Sequence, residues 1–342
     1  MGLHPSLHER PPLHERPPLS IGLDIGGTKI AAGVVNSLGD VVERVPELPC
    51  PASDQEAVLR TVSGLVAELL ARHTGITAIG VGAAGLVDWP EGRIRTAPNN
   101  AYRDVPIRRL LEDFTGLPTV VDNDANAACW AEYRLGHRAA YMLFITVGTG
   151  VGGGLILDDH LFRGRTGIGM EIGHMIVDPH GTQRCGCGNI GCLETLASGP
   201  ALGRYGSTAA ATDPAGLLST LAGGPARVTG ETVSAAALTG DPVACAQLER
   251  LGRWLGIGIA TLVNLFDIEL VVVGGGVARA GDPLLKPIRR SFEHFVTARS
   301  HRELPEIEPA RLGPEAGWMG AALLALDDNE HGALCGRGAA VT

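Results

Sequence analysis

Three cysteines fall within eight residues of this 342-residue chain, in the segment CGCGNIGC at 185 to 192. Cysteine thiolates bind metals, form disulfides or carry redox chemistry, so Cys185, Cys187 and Cys192 allow three interpretations. Disulfides are rare in a reducing compartment, where clustered cysteines more often bind metal. The residues favour a metal site in need of a fourth ligand, with a redox pair at Cys185 and Cys187 as the alternative.

Asp124 is the candidate for acid–base chemistry. It follows a β-like run at Thr119 to Asp122 and precedes a helical run at Ala125 to Leu135, so its carboxylate would project from a strand end. A carboxylate placed there can accept the proton of a hydroxyl group that attacks a phosphate. The alternative is that Asp124 only caps the helix, a common role of aspartate.

Three glycine-containing loops beside strand-like runs indicate phosphate binding, because backbone N–H groups can approach an anion closely where no side chain intervenes. They are GGT at 26 to 28, GTG at 148 to 150 and GGG at 274 to 276. Each one alone is typical of a structural turn. The chain has neither a GxxxxGK[ST] loop nor a GxGxxG between a strand and a helix, so a different nucleotide site is expected.

Alternating strand-like and helical runs must position these residues, and they predict an α/β protein. Two predicted strand–turn–strand units, one at 20 to 36 and one at 141 to 157, indicate an internally duplicated fold. A capping box at Ser53 and Glu56 predicts a helix that Gly75 closes. The other predicted elements are strands at Ala78 to Val81 and Glu269 to Val273, a helix starting at Asp282, and a last helix at Ala316 to Leu326.

The charge and composition of the chain limit the kinds of molecule it is expected to bind. A net charge of −9 without any Lys/Arg-rich stretch argues against nucleic acid, and the apolar runs are too short for a membrane span. The first twenty residues read LHERPP twice and lack the apolar segment of a signal peptide, so we expect a cytoplasmic protein that acts on small molecules. The ends, 1–19 and 328–342, lack periodicity and are expected to be mobile tails.

Five motifs occur in the order typical of one family: LDIGGTK at 23–29, VDNDANAA at 121–128, TVGTGVGGG at 146–154, EIGHM at 171–175 and CGCGNIGCLE at 185–194. Over about residues 20 to 326 the chain resembles the ROK family of repressors and sugar kinases, most closely its bacterial glucokinases. The resemblance implies an actin-like, hexokinase-type fold related to ribonuclease H. A smaller lobe, 20–134 plus 315–327, and a larger lobe, 135–314, would enclose a cleft.

The resemblance also implies a role for each matching residue. Asp124 would be the general base, and His174 would join the three cysteines around one structural Zn²⁺. The sugar would contact Gly85, Asn99, Asn123, Asp124, Glu171, His174 and Glu194. ATP with Mg²⁺ would lie among Asp24, Gly26, Gly27, Thr28, Lys29, Thr149, Gly150, Gly275 and Gly276.

The implied reaction is ATP-dependent phosphorylation of glucose at its 6-hydroxyl, in a homo-oligomer (dimer or tetramer). The alternatives are a kinase for fructose or an N-acetylhexosamine such as N-acetylmannosamine, and a sugar sensor without catalysis. Polyphosphate is the alternative donor. A repressor would need a helix-turn-helix before Ser20, where the residues are too few and too rich in proline. GAAGLVD at 82–88 and APNNAY at 97–102 depart from the common family pattern beside the implied sugar pocket.

Overall fold

The computed structural model describes residues 17–97 and 102–334, with side chains described as far as residue 328. The strands are, in chain order, β1 (Leu19–Ile25), β2 (Lys29–Asn36), β3 (Val41–Pro49), β4 (Ile76–Ala83), β5 (Leu86–Asp88), β6 (Arg93–Thr96), β7 (Arg103–Val105), β8 (Thr119–Asn123), β9 (Tyr141–Val147), β10 (Val151–Leu157), β11 (His160–Leu161), β12 (Leu270–Gly274) and β13 (Glu306–Pro309). The helices are α1 (Gln55–Arg72), α2 (Ile107–Thr115), α3 (Asp124–Ala131), α4 (Leu193–Ala197), α5 (Gly199–Thr212), α6 (Leu217–Ala222), α7 (Gly230–Leu238), α8 (Pro242–Phe266), α9 (Asp282–Phe295) and α10 (Ala316–Leu334). A π-helical stretch, Glu132–Gly136, continues α3.

Two five-stranded sheets share one topology. The first has the order β3-β2-β1-β4-β8 and the second the order β11-β10-β9-β12-β13. In each sheet the first three strands in sequence form an antiparallel meander, and two parallel strands extend the sheet beyond the first strand. Strands β5, β6 and β7 form a small antiparallel sheet. The predicted α/β class and the duplication are both present.

The hydrophobic residues form one core for each large sheet and a further cluster between the sheets. The strands β1, β2 and β4 bury their apolar side chains against α1, and β9, β10 and β12 bury theirs against the helices α4 to α9. Removing a Leu, Ile or Val side chain from water contributes about 1.5–3 kcal/mol to stability. The cluster between the sheets contains residues of α3 and α10, so α3 is supported from both sides.

Close backbone contact sets the position of α3 against α10. A Cβ atom at Gly320 of α10 would lie 1.7 Å from the carbonyl oxygen of Ala127 in α3. Only glycine permits this approach, so the two helices lie nearer than side chains would allow. The N-terminus of α3 thereby lies beside the carboxyl ends of β4 and β8, where the candidate base is found.

Some predicted element boundaries are wrong. The N-cap of α1 is Asp54, whose carboxylate accepts a hydrogen bond from Ala57 N at 3.1 Å, and not Ser53. This helix ends at Arg72, before Gly75, and α10 continues to Leu334 instead of ending at Leu326. Helix ends depend on capping contributions of about 1 kcal/mol, which local sequence specifies poorly. Among the described residues, no helix has the length and apolar character needed to cross a membrane.

Candidate active site

Asp124 is the first residue of α3 and follows β8 directly. The neighbouring Asn123 is the N-cap, because its side-chain oxygen accepts hydrogen bonds from Ala125 N at 2.9 Å and Asn126 N at 3.3 Å. Asp124 Oδ1 accepts one hydrogen bond, from Ala125 N at 2.8 Å. Burial raises the pKa of Asp124 above its ordinary value, and the backbone hydrogen bonds offset this only in part. Since Asn123 performs the capping, the Asp124 carboxylate retains capacity for a substrate proton.

Asp24 lies at the same edge of the first sheet. The strands β1, β4 and β8 are parallel, and their register places Asp24 opposite Gly82 and Gly82 opposite Asp122. Burial raises the pKa of Asp24 to about 7, and the negative charge of Asp124 adds to this shift. The two carboxylates therefore act on each other electrostatically. A cation at this edge would lower the pKa of both.

The turn between β1 and β2 holds three of the predicted phosphate-binding residues, and a fourth, Lys29, is the first residue of β2. Gly26 N donates a hydrogen bond to Lys29 O at 3.0 Å, and Thr28 O accepts one from Cys50 N at 2.9 Å. Lys29 forms an ion pair with Glu47, and both side chains are half-exposed. The positive charge of Lys29 still lowers the pKa of Asp24. Contact between Lys29 or the intervening Gly27 and a phosphate stays a prediction.

The second glycine turn and the third come together at the carboxyl ends of β9 and β12. Gly148 N donates a hydrogen bond to Gly150 O at 2.9 Å across the turn that contains Thr149. Gly275 has a positive φ of 89°, and a Cβ there would lie 2.4 Å from Val147 O. Gly275 and the adjoining Gly276 therefore lie beside the Gly148–Gly150 turn, as expected for one nucleotide site.

The Asp124 carboxylate is approached from the side of the second sheet by three residues, Glu171, His174 and Glu194. Burial raises the pKa of Glu171, the charge of His174 lowers it, and the charges of Asp124 and Glu194 raise it further. These groups therefore lie within electrostatic range of one another. His174 Nε2 is 3.9 Å from Glu171 Oε2. On the other side of Asp124, Asn123 Nδ2 donates a hydrogen bond to Gly85 O at 3.2 Å.

The structure thus brings six of the seven predicted sugar-binding residues to one region; the seventh, Asn99, lies outside the described residues. Polar groups that accept and donate hydrogen bonds suit the vicinal hydroxyls of a sugar. Tyr102, in the segment that departs from the family pattern, is buried in the core of the first sheet.

His174 and the three cysteines form one cluster, whose ligand atoms all lie within 4.8 Å of one another. Cys185 Sγ is 3.5 Å from His174 Nδ1, and Cys187 Sγ is 3.6 Å from Cys192 Sγ. Tetrahedral zinc with Zn–S bonds of about 2.3 Å separates its ligand atoms by about 3.8 Å, so this cluster has the right size. Burial raises the pKa of Cys192 to about 12, so a cation is needed to keep its thiolate. Three thiols and an imidazole suit a structural zinc ion.

Sequence reasoning missed two charged side chains that join distant segments of the chain. Arg163, after β11, donates a hydrogen bond from Nε to Asp122 Oδ2 at 2.6 Å. Glu132, which is fully buried, accepts hydrogen bonds from Arg311 N at 2.9 Å and Leu312 N at 2.8 Å. Asp122 stands in the quoted motif VDND, but its partner is 41 residues away. No local signal in the sequence pairs such distant residues.

Comparison with known proteins identifies the family. The model of the ROK family matches residues 20–328. The chain belongs to the ROK family. The resemblance inferred from the five motifs is therefore confirmed, together with the hexokinase-type fold.

Three similar proteins show which ROK proteins this chain resembles in sequence and structure. It is 42% identical to a glucokinase of Streptomyces coelicolor, over 90% of this chain and 97% of the relative. A crystal structure of a ROK family glucokinase from Streptomyces griseus, in complex with glucose and AMPPNP, is 42% identical with a TM-score of 0.81 and covers 90% of this chain and 99% of that one. A ROK hexokinase from Thermus thermophilus is 38% identical with a TM-score of 0.74, over 92% and 100% of the two chains.

Proposed function

We propose that this ROK protein is a glucokinase, which transfers the γ-phosphoryl group of ATP to the 6-hydroxyl of glucose. The observation that carries this is the placement of Asp124, a half-buried carboxylate of raised pKa, at a helix N-terminus that Asn123 caps. Glu171, His174 and Glu194 supply acceptors for sugar hydroxyls on the facing side. The Streptomyces glucokinases to which the chain is 42% identical support the same activity.

In the reaction, Asp124 accepts the proton of the 6-hydroxyl while the sugar oxygen forms its bond to the γ-phosphorus. The bond from that phosphorus to the bridging oxygen breaks, and ADP leaves. A carboxylate of raised pKa suits this step because it holds the proton more strongly than an ordinary aspartate. Kinases gain most of their rate from such positioning and from charge stabilisation.

Asp24 is the residue proposed to hold Mg²⁺ on the phosphates, directly or through water. Burial raises the pKa of Asp24 to about 7, and a divalent ion would stabilise its charged form. The Gly26–Thr28 turn approaches the phosphates from the first sheet, and the Gly148–Gly150 turn does so from the second. Gly275 and Gly276 are proposed to lie against the adenosine.

Zinc in the Cys/His cluster is proposed to be structural. His174 directs Nδ1 towards Cys185 and Nε2 towards Glu171, so one ring nitrogen is available to the metal and the other to the sugar side. Ligation at Nδ1 would fix the orientation and tautomer of the ring. With four protein ligands no coordination position remains for a water nucleophile.

We also propose the division into lobes 20–134 plus 315–327 and 135–314. The chain passes between the two sheets once near Glu132 and again near Leu312. The Glu132 carboxylate joins these two crossings through hydrogen bonds to the backbone at Arg311 and Leu312. The dimeric or tetrameric state and the cytoplasmic location stay predictions.

The experiment is a matrix of sugars and donors with the purified protein. We expect kcat/KM for glucose with ATP to exceed that for N-acetylmannosamine and for fructose, and ATP to exceed polyphosphate. A higher kcat/KM for an N-acetylhexosamine would replace the glucokinase assignment by another ROK kinase. Absence of phosphorylation with every sugar, in protein that binds glucose, would indicate the sensor instead.

A further inference from the structure

Arg163 carries a buried ion pair that joins the two sides of the site. Its guanidinium belongs to the segment after β11 of the second sheet, and its partner Asp122 belongs to β8 of the first. The exposed fractions of the two side chains are 16% and 3%. The guanidinium carbon also lies 3.8 Å from the centre of the Trp89 ring, a cation–π contact. A pair so deeply buried holds its geometry more tightly than a surface ion pair.

Asp122 transmits this contact to the start of α3. Its Oδ1 atom accepts hydrogen bonds from Asn123 N and from Asn126 Nδ2, both at 2.8 Å. Asn123 in turn caps α3, and Asn126 lies in the first turn of that helix. The Arg163 guanidinium, on Oδ2, therefore fixes the carboxylate that orients Asn123 and Asn126, which flank Asp124 in the first turn of α3.

The segment that follows Arg163 leads to the sugar-binding carboxylate Glu171. Arg163 O accepts a hydrogen bond from Gly169 N at 3.0 Å, which closes the loop, and Thr166 O accepts one from Trp89 N at 3.0 Å. Met170, directly before Glu171, has a positive φ of 65°, a conformation that its neighbours must hold in place. Trp89 thus supports both the guanidinium and the loop backbone, whereas Asp122 holds the guanidinium alone.

We propose that Arg163 is a positioning residue for phosphoryl transfer: through Asp122 it sets the Asp124 carboxylate against the sugar that Glu171 holds. The inference rests on the proposed function, in which Asp124 is the base. It goes beyond the sequence motifs, because Arg163 lies in none of them. Its effect falls on kcat, since a displacement of about 1 Å in a reacting group costs up to about a hundredfold in rate.

Steady-state kinetics and glucose calorimetry on Arg163→Gln and Arg163→Lys provide the test. We expect Arg163→Gln to lower kcat by about 10- to 100-fold while the Kd for glucose changes less than about threefold. Lysine keeps the positive charge, so Arg163→Lys should recover at least about a third of wild-type kcat. Arg165→Gln, two residues on and exposed, is the matched control and should match the wild type. A kcat for Arg163→Gln within about twofold of wild type overturns the proposal.

Arg163→Gln leaves Asp122 buried without a partner charge, which can prevent folding. The double variant Asp122→Asn/Arg163→Gln avoids this problem because it removes both charges. The kcat of the double variant should be no lower than that of the slower of the two single variants, Asp122→Asn and Arg163→Gln. Both changes interrupt the same chain of contacts from Arg163 through Asp122 to α3. Multiplied losses, or wild-type kcat in the double variant, contradict action through Asp122. Asp124→Asn distinguishes this failure from failure of the proposed function: if Asp124→Asn keeps its kcat, the base assignment itself is wrong.

Discussion

The Glu194 carboxylate accepts a hydrogen bond from the backbone N–H of Val151 at 3.1 Å, across 43 residues of sequence. Its other oxygen is 3.7 Å from Cys185 Sγ. A Cβ at Gly150 would lie 2.3 Å from the same carboxylate, so the glycine permits the approach. Glu194 therefore connects the Cys/His cluster with the Gly148–Gly150 turn.

Two substitutions at Glu194 separate its two contacts. Glu194→Gln keeps an oxygen that can accept from Val151 N, so the KM for ATP should stay within about threefold, whereas the KM for glucose should rise about tenfold through loss of the charged acceptor. Glu194→Ala loses both contacts, so both KM values should rise. Initial-rate kinetics measure both. An unchanged KM for ATP in Glu194→Ala would show that the Val151 contact does not matter for the nucleotide.

Removal of the metal should weaken glucose binding more than nucleotide binding. In Cys187→Ala we expect bound zinc to fall from one equivalent to near zero, glucose affinity to fall at least about tenfold, and the melting temperature to fall because structural zinc contributes to folding. Nucleotide affinity should fall less, through the Glu194–Val151 bond. Metal analysis and calorimetry on folded protein give these values.

Cys245→Ala, outside the cluster, is the control for this series and should keep its zinc. One equivalent of iron in the native protein, or no metal at all, would contradict the zinc site. Full glucose affinity in zinc-free protein would contradict the link through His174.

Replacement of the base should separate rate from binding. Asp124→Asn should lower kcat by at least about a hundredfold and leave the Kd for glucose within about threefold. The base must be ionised, so in the wild type kcat/KM should fall as the pH falls through the pKa of Asp124. Burial raises that pKa, so this fall begins at a higher pH than for an ordinary aspartate. The exposed Asp113→Asn is the control, and near-normal turnover in Asp124→Asn would refute the assignment.

Asp24 should lower the stability of the nucleotide-free protein at neutral pH. Its pKa is about 7 in the folded state against an ordinary 3.8, so the folded state binds the proton more tightly than the unfolded state. The resulting loss of stability is absent below pH 3.8, grows as the pH rises towards 7, and is constant above that. Asp24→Asn should therefore raise the melting temperature by at least about 2 °C at pH 8 and by less at pH 5.

Thermal unfolding without nucleotide or Mg²⁺ tests this prediction. The control variant is Asp113→Asn, because Asp113 is exposed. Asp54 is also exposed but is unsuitable as a control, because it caps α1. Asp24→Asn should also lose most of its activity if Asp24 holds Mg²⁺. An equal or larger stabilisation at pH 5 would contradict the raised pKa.

Much of the candidate site could be predicted because its residues lie in short, contiguous motifs. The repeated strand–turn–strand pattern consists of short apolar runs on either side of a glycine turn, a signal that local sequence carries, and it predicted β1, β2, β9 and β10 correctly. The cysteine spacing within eight residues likewise limits the ligand geometry before any fold is known. Asn123, by contrast, was expected only at the sugar and also proved to be the cap of α3.

The sequence by itself determined the α/β class and the duplication, and it predicted the base and the metal-binding residues. Only the tertiary structure decided the pairs Arg163–Asp122, Glu194–Val151 and Glu132–Leu312, which are separated by 41, 43 and 180 residues. Periodicity and capping act over a few residues, whereas these pairs form only after the order of the strands has brought distant segments together. Burial then makes each pair specific, because an unpaired charge or N–H in the interior is costly.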